Sequence, residues 1–323
     1  MSNKKPLKNQ SNAKIQEISL DNLKNILRRE EEFRDIDNWK FKHISVGEMQ
    51  NTYKISKEQK EFFIKELKNH EAQMEYYLCQ LKLKHLLYSL YPNLLKQKIL
   101  VRQFIRGKML TSKHINSDLL KDFAIMRNTM NDKDFFDKYN IFSLKNYSQK
   151  DDGFYKKGLE NNFLYAPKSL EKLDKYKLKE VDYFWKILKH VNKDKNKIIA
   201  DYVNMPFAKQ HQDFREDNII VTIDNKQKLI DWGSSYGYHP FMQDLAPFLI
   251  SNPKALKTYT KFSDNCKKAT KQQIKRWLYV ALVVRFLGVI RWRLDPCEER
   301  VNTRENCRKY ISYEYKTYKE LLS

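Results

Sequence analysis

Between His211 and Ala246 the chain reads HQDFREDNIIVTIDNKQKLIDWGSSYGYHPFMQDLA, a stretch rich in side chains that can hold a hard cation and steer a hydroxyl. Asp213 and Asn218 lie in a polar loop opened by His211, and Asp231 comes after a β-branched run and a turn. Ile219, Ile220, Val221 and Ile223 make the run, Asp224-Asn225-Lys226-Gln227 the turn and Leu229-Ile230 the return, the pattern of a short hairpin. A hairpin brings the loop before it close to the residue after it. Three oxygen-bearing side chains, Asp213, Asn218 and Asp231, then converge at one end of the ribbon, which suits a hard cation such as Mg²⁺ with one carboxylate left free to orient a nucleophile.

The string His-x-Asp-x-x-x-x-Asn, followed by an Asp after a hairpin, resembles the catalytic and metal-binding loops of the protein-kinase-like fold. The finer spelling, HQDFREDNIIV, LIDWG and DLA, is similar to the aminoglycoside phosphotransferase and choline kinase branch. In that branch an Asp-Trp or Asp-Phe, here Asp231-Trp232, stands in place of Asp-Phe-Gly, and an Asp-Leu-Ala, here Asp244-Leu245-Ala246, follows. The resemblance implies an α+β, bilobal protein-kinase-like fold, with a small β-rich N-lobe and a larger, mostly helical C-lobe. It implies ATP or GTP and Mg²⁺ as cofactors and the hydroxyl of a small molecule as phosphoryl acceptor. Asp213 would be the catalytic carboxylate, and Asn218 and Asp231 the Mg²⁺ ligands. His211 would orient the loop. Arg215 would lie near the transferred phosphoryl group, or else pair with Glu216 or Asp217. Two departures stand out: Gln212 replaces a usual Gly, and Glu216-Asp217 replaces a small or Pro-Gly pair, adding two carboxylates beside the metal site.

The elements that must position these residues begin upstream. Residues 1–16 read as a disordered tail, 17–106 as the N-lobe and 107–323 as the C-lobe. Ile18 to Phe33 has helical spacing, and Trp39–Ser45, Thr52–Ser56 and Glu61–Leu67 read as strands. Gly47 and Asn51, between the first two, resemble the family's degenerate nucleotide-covering loop, whose backbone amides lie over phosphates. Lys65 ends an apolar strand, the setting of the lysine that grips inner phosphates. A helix over about 69–90 supplies its partner, Glu75 by preference and Glu71 otherwise. Lys98 to Gly107 resembles the fifth strand and hinge, with the backbone from Gln103 to Ile105 against the nucleotide base.

Downstream, Asn116 to Asn128 reads as a helix, Asn146 to Gly158 as a polar loop, and Ser169 to Val191 as one helix capped by Ser169. Gln272 to Leu294 and Glu298 to Leu322 read as further helices. Arg291 and Arg293 either hold an anionic substrate or sit at a solvated helix end.

With 62 Lys+Arg against 40 Asp+Glu, the net charge is +22. Dispersed lysines point to compositional bias; the alternative is a field that draws nucleotide, an anionic substrate, nucleic acid or an anionic membrane surface. The charge disfavours a polycationic substrate. Four cysteines without metal-ligand spacing, and a polar, basic start, read as a cytoplasmic protein with reduced thiols and no membrane span. Two other function classes stay open: a kinase of RNA or protein, and a catalytically silent kinase-like module.

Overall fold

Alternation in the first third of the chain builds a sheet covered on both faces. Strands β1 (Lys40–His43), β2 (Thr52–Lys57), β3 (Lys60–Glu66) and β4 (Ile99–Gln103) pair antiparallel in that order. The computed structural model describes residues 18–44, 52–142, 152–235, 237–294 and 303–322. Side chains alternate across a strand, so Phe62, Ile64, Ile99 and Val101 turn to one face and pack with Phe33, Ile36 and Trp39. Phe33 meets both Trp39 and Phe62 edge-on at 5.3 Å. Phe63, Leu67 and Leu100 turn to the other face, against Ala72 and Cys79. The same parity sends Lys65 and Arg102 to that second face.

The helix expected from Ile18 to Phe33 is shorter. Helix α1 (Leu20–Leu27) starts at Ser19, whose Oγ accepts from the Asn22 amide at 3.2 Å, and gives way to 3₁₀ turns at Glu31–Phe33 and Ile36–Asn38. Carboxylates at Glu30 to Glu32 would face the negative end of a longer helix dipole, which opposes continuation. Helix α2 (Asn69–Leu81) also stops early, because Lys82 turns left-handed at φ 50° and closes the last turn on the Leu78 carbonyl. Residues 83–90 are therefore not helical but run across to the downstream hairpin. There the Leu229 amide donates to the His85 carbonyl at 2.9 Å, and the Leu87 amide to the Leu229 carbonyl at 3.1 Å. Helix α3 (Pro92–Leu95) precedes β4.

After β4 the chain changes sheets. Strand β5 (Gly107–Met109) pairs with β7 (Ile219–Thr222), and β7 with β8 (Gln227–Leu229). Gly107 is required here: a Cβ would lie 2.4 Å from the Val221 carbonyl oxygen. Ile223 is outside the strand, in the turn, and 87% exposed. Strand β6 (Phe207–Lys209) pairs with β9 (Tyr238–Pro240).

The rest is helical. Helices α4 (Ser117–Met130) and α5 (Lys133–Lys138) precede α6 (Asp152–Asp174), α7 (Lys179–Asn192) and α8 (Lys195–Asn204). Two expectations fail here. Residues 152–158 belong to α6 rather than a loop, and Ser169 caps nothing, since α6 runs through it and its Oγ donates back to the Tyr165 carbonyl at 3.3 Å. Lys177, left-handed at φ 48°, splits the expected single helix. After β9 come α9 (Ala246–Leu249), α10 (Pro253–Phe262), α11 (Asp264–Lys267), α12 (Lys271–Gly288) and α13 (Arg304–Tyr318). Thr270 and Gln273 form a reciprocal capping box at the start of α12. Beyond Gly288 this helix widens into a π turn, Val289–Arg293. Among the described residues no helix is long and apolar enough to cross a membrane.

Candidate active site

Lys65, on β3 of the four-stranded sheet, reaches the segment that follows the β7–β8 hairpin. Its Nζ donates to Glu71 Oε1 at 2.6 Å and to Asp231 Oδ1 at 3.2 Å. Burial alone would depress the Lys65 pKa, but the two carboxylates outweigh it and leave it above its ordinary value. Burial likewise opposes the Asp231 charge, and Lys65 reverses that, so its carboxyl lies below the usual range.

The preferred partner, Glu75, is thus corrected to Glu71. The connection from β3 to α2 is so short that the first turn of the helix, not the second, reaches Lys65. Glu75 points into the same interior, 1% exposed, and burial pushes its carboxyl up to about 8. Its Oε2 and the Nη1 of buried Arg102 find no hydrogen-bond partner among the described residues. Arg102 was not anticipated; its alternation with buried Leu100 in β4 was the available signal. The start of α2 is also tied to the Asp231 loop, where His70 Nε2 lies 2.8 Å from the Gly233 carbonyl and donates to it. A Cβ at Gly233 would stand 3.3 Å from Asp231 Oδ1, tighter than most real contacts.

The second cluster is the loop before β7. Asp244 holds its backbone, accepting from the His211 amide at 2.6 Å and the Gln212 amide at 3.1 Å. Asp244 in turn pairs with buried Arg127 at 3.2 Å, whose guanidinium also donates to the carbonyls of Lys209 and Phe241. Arg127 too was missed, although a lone arginine among Phe123, Ala124, Met126 and Met130 signals a buried counter-charge. Gln212 adopts φ 66°, a backbone conformation that favours Gly. Asp231 is left-handed as well, at φ 60°. Non-glycine residues held in this region cluster where function demands a set backbone.

His211 is fully buried and its Nε2–H donates to the Ile230 carbonyl at 2.8 Å. Burial lowers its pKa, which favours the neutral ring, and among the described residues Nδ1 finds no hydrogen-bond partner. It braces the loop against the hairpin, with Trp232 packed on it at 4.5 Å. Phe214, also fully buried, anchors the residue after Asp213 between Phe123 and Phe248. Asn218 Nδ2 donates to the Asp213 carbonyl at 2.7 Å and to Asp213 Oδ2 at 3.0 Å.

Arg215 Nε lies 2.9 Å from Asp213 Oδ1 and its Nη2 lies 3.1 Å from Asp217 Oδ2. Glu216 turns away from the metal side: Lys113 Nζ at 2.9 Å and the Tyr313 hydroxyl at 2.6 Å hold it.

Gln103 ends β4 exposed, opposite Phe62, and half-buried Ile105 lies in the strap that leads to β5. Gly47 and Asn51 lie outside the described residues, as does the side chain of Arg293. The half-exposed Asp231 carboxylate lies beside Lys65, and Asn218 is tied to the same segment, its backbone carbonyl accepting from the Ile230 amide at 2.9 Å. Hard oxygen donors in this number fit Mg²⁺ that keeps water and phosphate as its remaining ligands. Among the described residues no group of three or more His, Cys, Asp or Glu forms an all-protein metal cage.

Neither a protein-family model nor a curated protein sequence matches the chain. Solved structures do. An aminoglycoside phosphotransferase from Alicyclobacillus acidocaldarius superposes with a TM-score of 0.53 at 11% identity, covering 88% of this chain and 91% of that one. An ethanolamine kinase from Plasmodium vivax gives 0.48 at 13% identity, over 92% and 89% of the two chains. A choline kinase from Streptococcus pneumoniae gives 0.45 at 13%, over 92% and 98%. At such identities the likeness is one of fold. An antiparallel sheet followed by a largely helical region, matched to the first of these along most of both chains, gives this protein the bilobal protein-kinase-like fold seen in aminoglycoside phosphotransferases.

Proposed function

We propose that the chain is a Mg²⁺- and nucleotide-dependent phosphotransferase that moves the terminal phosphoryl group of ATP or GTP to a hydroxyl of a small molecule. The observation that carries this reading is the meeting of Lys65, from the first sheet, with Asp231, from beyond the hairpin, at 3.2 Å, while Asn218 and Asp213 are hydrogen-bonded at 3.0 Å in the loop before that hairpin. Such a transfer asks the protein mainly for position and for charge placed where charge develops.

Lys65, held by Glu71, clamps the inner phosphates. Asn218 and Asp231 are the residues that would hold Mg²⁺, which when bound supplies positive charge to the phosphate oxygens. Asp213 accepts a hydrogen bond from the acceptor hydroxyl and takes its proton. Arg215 sets a guanidinium beside Asp213, where the transferring oxygens gather charge. His211 and Asp244 position the loop and touch no reactant. Gly47, Asn51 and the Gln103–Ile105 backbone complete the nucleotide side in this reading.

The test is an acceptor screen with Mg–ATP and Mg–GTP read by mass spectrometry, with Asp213→Asn as control. A phosphoester should appear with wild type and fall by about 10²–10⁴-fold with the variant, the range for a lost general base, while nucleotide affinity holds. Turnover by Asp213→Asn above about one part in a hundred removes Asp213 from the role.

A further inference from the structure

A cavity of about 400 Å³ opens between α6, α12 and β9, with Tyr155, Tyr202, His239, Gln243, Arg285 and Arg291 as its polar wall. It adjoins the catalytic loop at His239. A Cβ placed on Gly237 would lie 3.3 Å from His239 Nε2 and 3.5 Å from Gln212 Nε2, and Gln212 immediately precedes Asp213.

The charge of this cavity is one-sided. Two arginines line it and, among the described residues, no aspartate or glutamate does. His239 adds no cation near neutrality, since burial pulls its pKa down to about 4. Arg291 is held in place, donating to Asn162 Oδ1 at 2.7 Å with its guanidinium 5.2 Å from the Tyr165 ring centre.

Arg285 differs. It is the lone charged residue from Trp277 to Gly288, half-buried on an otherwise apolar stretch of α12, and it makes no ion pair or hydrogen bond among the described residues. It also borders a second cavity, about 450 Å³, whose wall includes Arg215. The carboxylates there make no ion pair with it: Glu216 is taken by Lys113 and Tyr313, Asp217 by Arg215, and buried Glu314 lines the cavity without bridging to Arg285. A cation set into an apolar helix without a counter-charge costs stability unless a ligand supplies the charge.

We propose that Arg285 recognises a negative group, carboxylate or phosphate, on an acceptor that presents its hydroxyl to Asp213. The fate of that hydroxyl rests on the phosphotransferase reading; the anion site itself does not. This assigns the acceptor to small hydroxylated acids and excludes amino alcohols and polyamines.

Calorimetric titration with glycerol phosphate, glycerate, glycerol and choline tests the site without turnover. One of the two anions should bind, and which one identifies the headgroup; glycerol and choline should not compete with it. Arg285→Gln should weaken that binding by about tenfold or more, the value of a charged hydrogen bond. Arg285→Lys should restore part of it, and both variants should keep wild-type affinity for Mg–ATP, the sign of an intact fold. Failure of both anions to bind, equal binding by Arg285→Gln, or preference for choline overturns the proposal. Anion binding that depends on Arg285, with no phosphate transferred to any of the four compounds or in the acceptor screen, would leave the site standing and count against the phosphotransferase reading instead.

Discussion

Glu71 and Glu75 stand one helical turn apart, on the same face of α2, yet the fold gives them different partners. Glu71 meets Lys65 at 2.6 Å, whereas Glu75 lies beyond its reach, with burial holding its carboxyl protonated until about 8. The consequence for stability has a definite sign. In the unfolded chain Glu75 ionises above its ordinary 4.5, whereas in the folded protein it keeps its proton up to about 8. Unfolding therefore releases a proton across that window, and stability falls as pH rises through it. Glu75→Gln should remove this slope, so the variant's advantage in denaturant midpoint should grow between pH 5 and pH 8. A constant difference at the two pH values would show that Glu75 is ionised inside the fold. The ambiguity between the two glutamates was inherent in the sequence, because a four-residue spacing gives both the same direction and only the length of the β3–α2 connection separates them. Asp213, Asn218 and Asp231, by contrast, were legible as a group, since one hairpin and its flanks carry all three.

Elements were legible where one period ran undisturbed. The alternation of β2, β3 and β4 and the apolar stripe of α4 were of this kind. The stretch from 152 to 192 was not: Pro167 and Ser169 carry the signals of a helix start, but α6 was already under way, and the break came at Lys177, whose left-handed backbone no residue type announces. Nor did sequence reveal that residues 83–90 would dock on β8. The acceptor cavity was illegible for a related reason, since its walls come from separate segments around residues 155, 202, 240 and 285. One residue at this scale has a clear consequence. Gly107 lets β5 approach β7 so closely that any Cβ meets backbone rather than a yielding side chain. Gly107→Ala should cost roughly 1–3 kcal/mol, as overpacking does, and lower the denaturant midpoint. An unchanged midpoint would mean that the β5–β7 pairing does not bear on the stability of the fold.

Over the whole molecule, +22 charges invite the idea of a polyanion partner. Their disposition argues otherwise. Basic side chains pair individually with carboxylates from other segments, as in Lys57–Asp35, Arg276–Asp201 and Arg308–Glu180, while others lie over rings, as Lys121 over Phe262 and Lys186 over Tyr183. Exposed pairs of this sort contribute little to stability, and they spread the surplus instead of focusing it into a groove. Among the described residues, the unpaired cation at the proposed acceptor site is a single residue, Arg285. Between about 50 and 300 mM salt the Debye length shortens by a factor of about 2.4. For one anion held by one arginine, the logarithm of KM should then rise against the logarithm of salt with a slope no steeper than about one. A nucleic acid gripped through several phosphates would give a slope of several units. The measurement is KM for the acceptor at graded salt, with bulk RNA added as competitor at the lowest concentration. A steep slope, with RNA displacing the acceptor and itself becoming phosphorylated, would transfer the catalytic site from a small-molecule kinase to a nucleic-acid kinase and make the surplus charge part of its substrate recognition.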